Sequence, residues 1–213
     1  MKHLKQEPQK FFADGSDIFF TSDLHFNHEG IIKFCKRPFS SVEEMNETLI
    51  KNWNDTVNET STVFCLGDFA WGKIDMWRPI VERLKGHIIL IKGNHDFKQL
   101  KSQAQFDELF EHSLLQMNIE IEKRKVILNH YPLLCYAGIY RESKNMVYNL
   151  HGHIHTQKNS IGKDFERYTT LAYPTQYDVG VDMNDYKPIS WKEVDERVQY
   201  QIENNVNIKH WLT

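Results

Sequence analysis

Short apolar runs alternate with polar, helix-patterned segments through the first half of the chain. The runs are rich in Ile, Val, Leu and Phe, a composition typical of strands that are buried on both faces. They predict strands at residues 17–22, 62–66 and 87–92. The segments beside them place apolar residues three and four positions apart, which predicts amphipathic helices. These helices are predicted at residues 30–36, from Ser41 onward, at 74–85 and at 97–111.

The second half of the chain is richer in strand patterns. They predict strands at residues 113–122, 124–130, 146–151 and 177–182, followed by a last helix that starts at Ser190. The polar and aromatic segment 162–176 is predicted to be a loop. Alternating strands and helices followed by a strand-rich half predict an α/β fold in which two sheets pack together with helices outside. At this length we expect one domain, residues 1–213.

Composition excludes some classes of protein but does not indicate a function. The 26 Lys and Arg residues against 29 Asp and Glu residues give a net charge of −3. A mildly acidic chain is not a protein that coats nucleic acid, although it could act on a nucleotide or a nucleic-acid end at a local site. The three cysteines lie among apolar residues, and the chain shows no signal peptide and no apolar run long enough to span a membrane. We therefore expect a cytoplasmic protein with no membrane partner.

Side chains that bind metals follow several of the predicted strands, where ligands bind in open α/β sheets. A core has no use for so many polar residues at equivalent strand ends, because burying them unpaired is costly. In chain order these residues are Asp23, His25, Asp68, Asn94, His95, Asp96, His130, His151, His153 and His155.

The spacing of these residues suggests how they meet. Side chains alternate along an extended strand, so Asp23 and His25 can grip one ion together, and the same holds for His153 and His155. A glycine before Asp68 lets the backbone turn sharply and aim the carboxylate inward. Mixed nitrogen and oxygen ligands suit Mn²⁺, Fe, Zn²⁺, Co²⁺ or Ni²⁺ better than Ca²⁺.

The motifs DLH, GD, GNHD, NH and GHIH, in this order from Asp23 to His155, resemble the calcineurin-like metallophosphoesterases. Five motifs in the right order are far more specific than one Asp-x-His. The runs TSDLHFNH, RPF and VGVD are similar to the small stand-alone members of bacteria and phages. The resemblance implies a four-layer αββα sandwich of two mixed sheets flanked by helices.

The resemblance also implies a site with two divalent ions, Mn²⁺ first among them. One ion would be held by Asp23, His25, Asp68 and His155, and the other by Asp68, Asn94, His130 and His153. A hydroxide that bridges the ions would attack phosphorus in line with the leaving oxygen. His95 would protonate the leaving group or bind the phosphoryl oxygen, and Asp96 would orient His95.

The residues leave the substrate and several contacts open. Arg37 could clamp a phosphate or form a surface ion pair, and His151 could face substrate or support a ligand. Trp71, Tyr131 and Tyr136 could stack on a nucleobase or belong to the core. We favour a phosphodiester, with a phosphomonoesterase, a non-catalytic metal-binding scaffold and a metallo-β-lactamase-like hydrolase as alternatives. A homodimer is an open option.

Overall fold

The computed structural model describes residues 15–139, 146–157 and 163–212. Its first sheet has five strands in the order β4-β3-β2-β1-β9. Strands β1 to β4 run parallel, and β9 is antiparallel to β1 at the edge. These strands are β1 (Ile18–Thr21), β2 (Thr62–Cys65), β3 (His87–Ile91), β4 (His112–Leu114) and β9 (Ile189–Ser190).

The second sheet has four strands in the order β5-β6-β7-β8. Strands β5 and β6 form an antiparallel hairpin, while β6, β7 and β8 are parallel. Their bounds are β5 (Gln116–Ile121), β6 (Arg124–Asn129), β7 (Tyr148–His151) and β8 (Gln176–Asp178). The parallel order directs the carboxyl ends of β6 and β7 to the same edge of the sheet.

Helices connect the parallel strands and cover the sheets. Residues Ile208–Leu212 add a short 3-10 helix after the last of them. The helices are α1 (Glu29–Phe34), α2 (Val42–Thr56), α3 (Ile74–Val81), α4 (Asp96–Gln99), α5 (Gln103–Asp107), α6 (Lys163–Leu171) and α7 (Trp191–Glu203). Within the described ranges, none of these helices has both the length and the apolar character that a membrane crossing requires.

Two cores explain why the strands of the first sheet are apolar on both faces. Val63 and Leu90 point toward the layer of helices α1 to α5. Phe20 and Ile89 point the other way and pack against the second sheet and α7. Side chains that alternate along each strand therefore supply both cores. The predicted four-layer αββα sandwich is confirmed.

Three predicted elements differ most from the structure. The predicted loop at 162–176 contains α6 instead. The sequence pattern did not indicate this helix because its few apolar positions, such as Tyr168, lie among polar and aromatic residues. The predicted helix at 97–111 is two short helices, since a break at Leu100 restarts the chain at the cap Ser102. The predicted strand at 113–122 divides at Leu115, so that β4 joins the first sheet and β5 the second.

Candidate metal centre

The candidate ligands converge where strands of both sheets end. Asp23 and His25 follow β1, and Asp68 follows β2. The remaining ones follow β3, β6 and β7, namely Asn94, His130, His153 and His155. Loops at the carboxyl ends of parallel strands thus supply every predicted ligand, which is the place where such sheets bind ligands.

The loops reach this arrangement through a backbone conformation that most residues avoid. Asp23, His25, Asp68, His153 and His155 all have positive φ, between 51° and 71°. The expected alternation along an extended strand is therefore wrong as the reason why Asp23 and His25 converge, because β1 ends at Thr21 and the chain turns. Left-handed non-glycine residues cost free energy and cluster at functional sites, where the surrounding structure enforces them.

Two glycines let the loops approach the carboxylates closely. A Cβ on Gly93 would collide with the Asp68 carboxylate, and a Cβ on Gly152 would collide with Ser22 and the Asp23 carboxylate. Any larger residue would push these acids out of place. The glycines of the GNHD and GHIH motifs thus have a steric role.

The first group of candidate ligands is Asp23, His25 and His155, whose potential ligand atoms all lie within 4.8 Å of one another. Asp23 Oδ1 and His25 Nε2 are buried and make no hydrogen bond with any residue that the structure describes. Asp23 Oδ1 is 3.7 Å from His155 Nε2, too far for a hydrogen bond. Buried polar atoms left unpaired are costly, so these atoms fit the ligands of an ion.

The second group is Asp68, His130 and His153, again within 4.8 Å of one another. His130 Nδ1 lies 2.7 Å from the carbonyl oxygen of Leu66 and donates to it, which leaves Nε2 as the ligand atom. That Nε2 is 3.0 Å from Asn94 Oδ1, so the amide joins the same group.

Asp68 lies between the two groups. Its Oδ2 is 3.6 Å from His25 Nε2 and 3.5 Å from His130 Nε2. Its Oδ1 accepts a hydrogen bond from the backbone N–H of His95 at 2.8 Å, which fixes the orientation of the carboxylate. One oxygen of Asp68 thus faces both groups.

Burial and neighbouring charges together set the protonation of the first group. It lowers the pKa of His25 well below the ordinary value, and nearby His155 lowers it further, so His25 offers a neutral nitrogen. Burial raises the pKa of Asp23 to about 6. Burial also lowers the pKa of His155, but the charge of Asp23 and the hydrogen bond to Asp182 outweigh it and raise that pKa well above the ordinary value.

Arg37 does not face the site as a phosphate clamp; it forms the alternative ion pair, but that pair is buried rather than at the surface. Its side chain is fully buried and paired with Asp182 at 2.9 Å. Its remaining donors reach the carbonyl oxygens of Leu24 and Asp23. Asp182 accepts a hydrogen bond from His155 Nδ1 at 2.8 Å, which leaves Nε2 of His155 for the site. Arg37 therefore supports the candidate ligand His155 through Asp182.

This relay of Arg37, Asp182 and His155 is strongly polarised. Burial alone would raise the pKa of Asp182, but Arg37 and His155 together hold it at about 2. The thiol of Cys35, which sequence reasoning assigned to the core, lies against the same relay. The run VGVD contained the only sequence signal for Asp182, and spacing alone could not distinguish a supporting acid from a turn residue.

Asp96 has a different role from the one expected beside His95. The carboxylate of Asp96 accepts backbone N–H groups of Asp68, Phe69 and Gly93 at 2.7–2.9 Å. The structure gives it no hydrogen bond to the His95 ring, so the expectation that Asp96 orients His95 is corrected. Asp96 instead ties together the GD and GNHD loops. Burial and the nearby Asp68 raise its pKa to about 7.

The ring of His95 lies at the open side of the first group. Its Nε2 is 3.9 Å from Asp68 Oδ2, and its side chain is 27% exposed. Burial lowers its pKa, which favours the neutral imidazole at pH 7. His95 also packs against Trp71, which in turn stacks on His28 with ring centroids 4.4 Å apart.

His151 is corrected as a substrate contact. It is fully buried, its Nε2 is hydrogen-bonded to the hydroxyl of Tyr168 at 2.7 Å, and its Nδ1 lies 3.0 Å from the carbonyl oxygen of Gly152. Both ring nitrogens are thus engaged by protein groups. His151 therefore anchors the GHIH loop to α6.

Comparison with known proteins gives this arrangement a family. The model of the family described as calcineurin-like phosphoesterase matches residues 16–202. The chain belongs to the calcineurin-like phosphoesterases. Members of this family depend on metal ions and hydrolyse phosphoester bonds, in agreement with the groups of candidate ligands.

Relatives of this phosphoesterase come from archaea, phages and bacteria. The uncharacterized protein MJ1445 of Methanocaldococcus jannaschii is 36% identical over 176 residues, or 81% of this chain and 86% of that protein. The gene 66 protein of Mycobacterium phage L5 is 29% identical over 167 residues, or 66% of this chain and 78% of that protein. The crystal structure of AQ665 from Aquifex aeolicus, a protein of unknown function, has a TM-score of 0.63 and 27% identity, covering 84% of this chain and 97% of that one.

Proposed function

We propose that this phosphoesterase is a phosphodiesterase with two divalent ions, preferentially Mn²⁺. The first ion would be held by Asp23, His25, Asp68 and His155, and the second by Asp68, Asn94, His130 and His153. The observation that carries the proposal is the position of Asp68 Oδ2, 3.6 Å from a ligand nitrogen of one group and 3.5 Å from a ligand nitrogen of the other.

The donor set supports a transition metal. It combines imidazole nitrogens with carboxylate and amide oxygens, the mixture that suits Mn²⁺, Fe, Zn²⁺, Co²⁺ and Ni²⁺. Bound divalent ions would supply activation of water and neutralisation of charge on the phosphoryl oxygens. His130 donates from Nδ1 to the carbonyl oxygen of Leu66, and His155 donates from Nδ1 to Asp182. Histidines that bind metals usually have such a hydrogen bond on the other ring nitrogen.

His95 is placed to act on the substrate itself. Its ring is partly exposed beside Asp68 and belongs to neither group of ligands. A neutral imidazole can donate one N–H to a phosphoryl oxygen or to the leaving oxygen. Its partner Trp71 is 36% exposed and extends this side of the site.

The surroundings of the site favour a diester. Trp71 lies on the His95 side of the site and Tyr131 on the His153 side, so each side offers a ring beside which an ester group can lie. Arg37, whose charge would have suited a doubly charged monoester, is paired with Asp182 instead. Both observations support a substrate with two ester groups and one charge.

The test is hydrolysis of bis-p-nitrophenyl phosphate and of p-nitrophenyl phosphate by metal-stripped protein, with and without added Mn²⁺. We expect cleavage of the diester that depends on Mn²⁺ and exceeds cleavage of the monoester. His95→Ala should lose about 10²- to 10⁴-fold in kcat while keeping its metal. His112→Ala, which changes an exposed histidine outside the site, is the matched control.

Each alternative has its own result. Preference for the monoester would make the protein a phosphatase. Two bound metals without turnover of either ester would favour the non-catalytic scaffold.

A further inference from the structure

A cavity of about 280 Å³ opens beside the second group of ligands. His153 and Ile154 of the GHIH loop form one part of its wall, and Tyr168 and Leu171 of α6 form another. His153 is thus shared between the cavity and the metal centre. A group in the cavity would therefore lie next to a phosphorus atom held at the centre.

Much of the wall of this cavity is apolar, and the polar groups of Tyr168 and Gln176 in it are already engaged. Leu133 and Leu134 complete the apolar lining. The hydroxyl of Tyr168 is hydrogen-bonded to His151, as described above. The amide nitrogen of Gln176 donates to the carbonyl oxygen of Leu133 and to Asn149 Oδ1, both at 2.9 Å. The interior therefore suits an uncharged, flat group.

An aromatic ring stands where the cavity meets the metal centre. Tyr131 packs its ring against His130 and His153, with centroids 5.0 and 4.7 Å apart. Nearly half of Tyr131 remains exposed, and the residue lines the cavity. Bases stack on such rings regardless of their sequence identity.

A positive charge also lies in the lining. Arg167 is exposed, and its side chain makes no ion pair and no hydrogen bond within the part of the chain that the structure describes. Its guanidinium is available to a phosphate outside the apolar interior. An apolar interior with a cationic group beside it matches a nucleotide better than it matches a neutral chain.

We propose that this cavity binds the base of a nucleoside that is attached to the scissile phosphorus through the ester bond that is not broken. The inference rests on the proposed phosphodiesterase activity. In hydrolysis the bond from phosphorus to the leaving oxygen breaks, the oxygen of water bonds to phosphorus, and a proton goes to the leaving oxygen. The nucleoside stays on phosphorus, and the product is a nucleoside monophosphate.

The positions of His95 and the cavity assign the two ester groups. His95 packs against His25 and Trp71, whereas the cavity adjoins His153 and Tyr131. The leaving group therefore lies on the His95 side and the retained nucleoside on the His153 side. The volume lies just below the range of about 300–1,000 Å³ for sites that enclose whole ligands, so the cavity suits one ring system.

Three diesters with the same leaving group test the proposal. They are the methyl, hexyl and thymidine 5′ esters of p-nitrophenyl phosphate, so that only the retained group differs. We expect kcat/KM to be at least about tenfold higher for the thymidine ester than for the methyl ester. An equal gain for the hexyl ester would show that the cavity takes apolar chains and would overturn the nucleoside. Equal rates on all three would overturn the cavity as a binding site.

Substitutions in the cavity lining test whether the cavity causes the preference for the thymidine ester. Leu171→Asp and Tyr131→Ala should each lower the ratio of thymidine to methyl ester by about tenfold, and Tyr131→Phe should restore it. Arg167→Gln should raise KM for the thymidine ester severalfold. Leu115→Asp, a change at an exposed leucine outside the cavity lining, is the matched control and should keep the wild-type ratio. A ratio unchanged in Leu171→Asp and Tyr131→Ala would overturn the proposal.

Equilibrium binding separates this inference from the proposed function. Thymidine 5′-phosphate should bind to the wild-type protein and bind at least about tenfold more weakly to Leu171→Asp. If no ester is hydrolysed, the phosphodiesterase proposal fails, but this difference in binding would still support the cavity. Equal binding to both proteins would overturn the cavity whatever the hydrolysis shows.

Discussion

The two groups of candidate ligands are built in different ways. In the first group Asp23 and His25 are almost fully buried, and His155 is held by the charged relay of Asp182 and Arg37. In the second group His130 is held by a backbone carbonyl oxygen, and His153 borders an open cavity. We therefore expect the Asp182 side of the centre to act as a rigid support and the His153 side to admit the retained ester group of the substrate.

The shared carboxylate should matter most, because it belongs to both sides. Asp68→Ala should cost both groups a ligand and lower kcat on a diester by on the order of 10³-fold. Metal content per chain and steady-state rates measure this. Asp75→Ala, at an exposed acid in the first turn of α3, should behave like the wild type. Loss of only one ion from Asp68→Ala would mean that Asp68 does not serve both groups.

The rigid side depends on a buried ion pair. Arg37→Met leaves Asp182 buried without its cation, so the free energy of unfolding should fall by about 3–5 kcal/mol. Chemical denaturation measures this. The exposed pair of Arg83 and Glu47 supplies the control Arg83→Met, which should cost at most about 1 kcal/mol. A rise in KM with little loss of stability would instead return Arg37 to the role of a substrate clamp.

The first group should also oppose folding in metal-free protein at neutral pH. Burial raises the pKa of Asp23 to about 6 in the folded state, so its favourable contribution is present at low pH and is lost as the pH rises through about 6. At pH 7, Asp23→Asn should therefore stabilise metal-stripped protein by up to about 3 kcal/mol. At pH 4 the difference should nearly vanish.

Denaturation at the two pH values, with Asp75→Asn as the control, tests this expectation. Added Mn²⁺ should reverse the effect, because the wild type alone then gains from the bound ion. If the metal-free Asp23→Asn protein and the wild type are equally stable at both pH values, burial of the Asp23 carboxylate does not destabilise the fold.

The hydrogen bond between His155 and Asp182 should affect Mn²⁺ affinity at the first group only. Asp182→Asn removes the charge that holds His155, and Mn²⁺ affinity at the first group should fall about 10- to 100-fold. Affinity at the second group should stay unchanged. A Mn²⁺ titration that resolves two binding steps measures both, with the exposed Asp185→Asn as the control. Equal weakening of both steps would mean that the two groups are not supported independently.

The sequence predicted the sandwich and the convergence of the ligands well, because apolar runs mark buried strands and strand ends collect ligands. It predicted the convergence of Asp23 and His25 for the wrong reason, since left-handed turns rather than strand alternation bring them together. Turns of that kind depend on contacts such as the close approach of Gly152 to Asp23, which no local pattern reveals.

Long-range partners explain the other differences. Arg37 and Asp182 are 145 positions apart, so neither could be recognised as a buried pair from sequence spacing. Asp96 directly follows His95, which made it a natural partner, but its carboxylate turns to backbone N–H groups instead. The cavity beside His153 depends on α6, a helix that the sequence pattern did not predict.

The most direct test of the central claim is a Mn²⁺ titration of metal-stripped protein, followed at once by metal content per chain and by hydrolysis of bis-p-nitrophenyl phosphate. Two groups of ligands that share Asp68 predict two ions per chain and an activity that rises mainly as the second ion binds. Full activity with one ion per chain, or activity without any metal, would contradict the account.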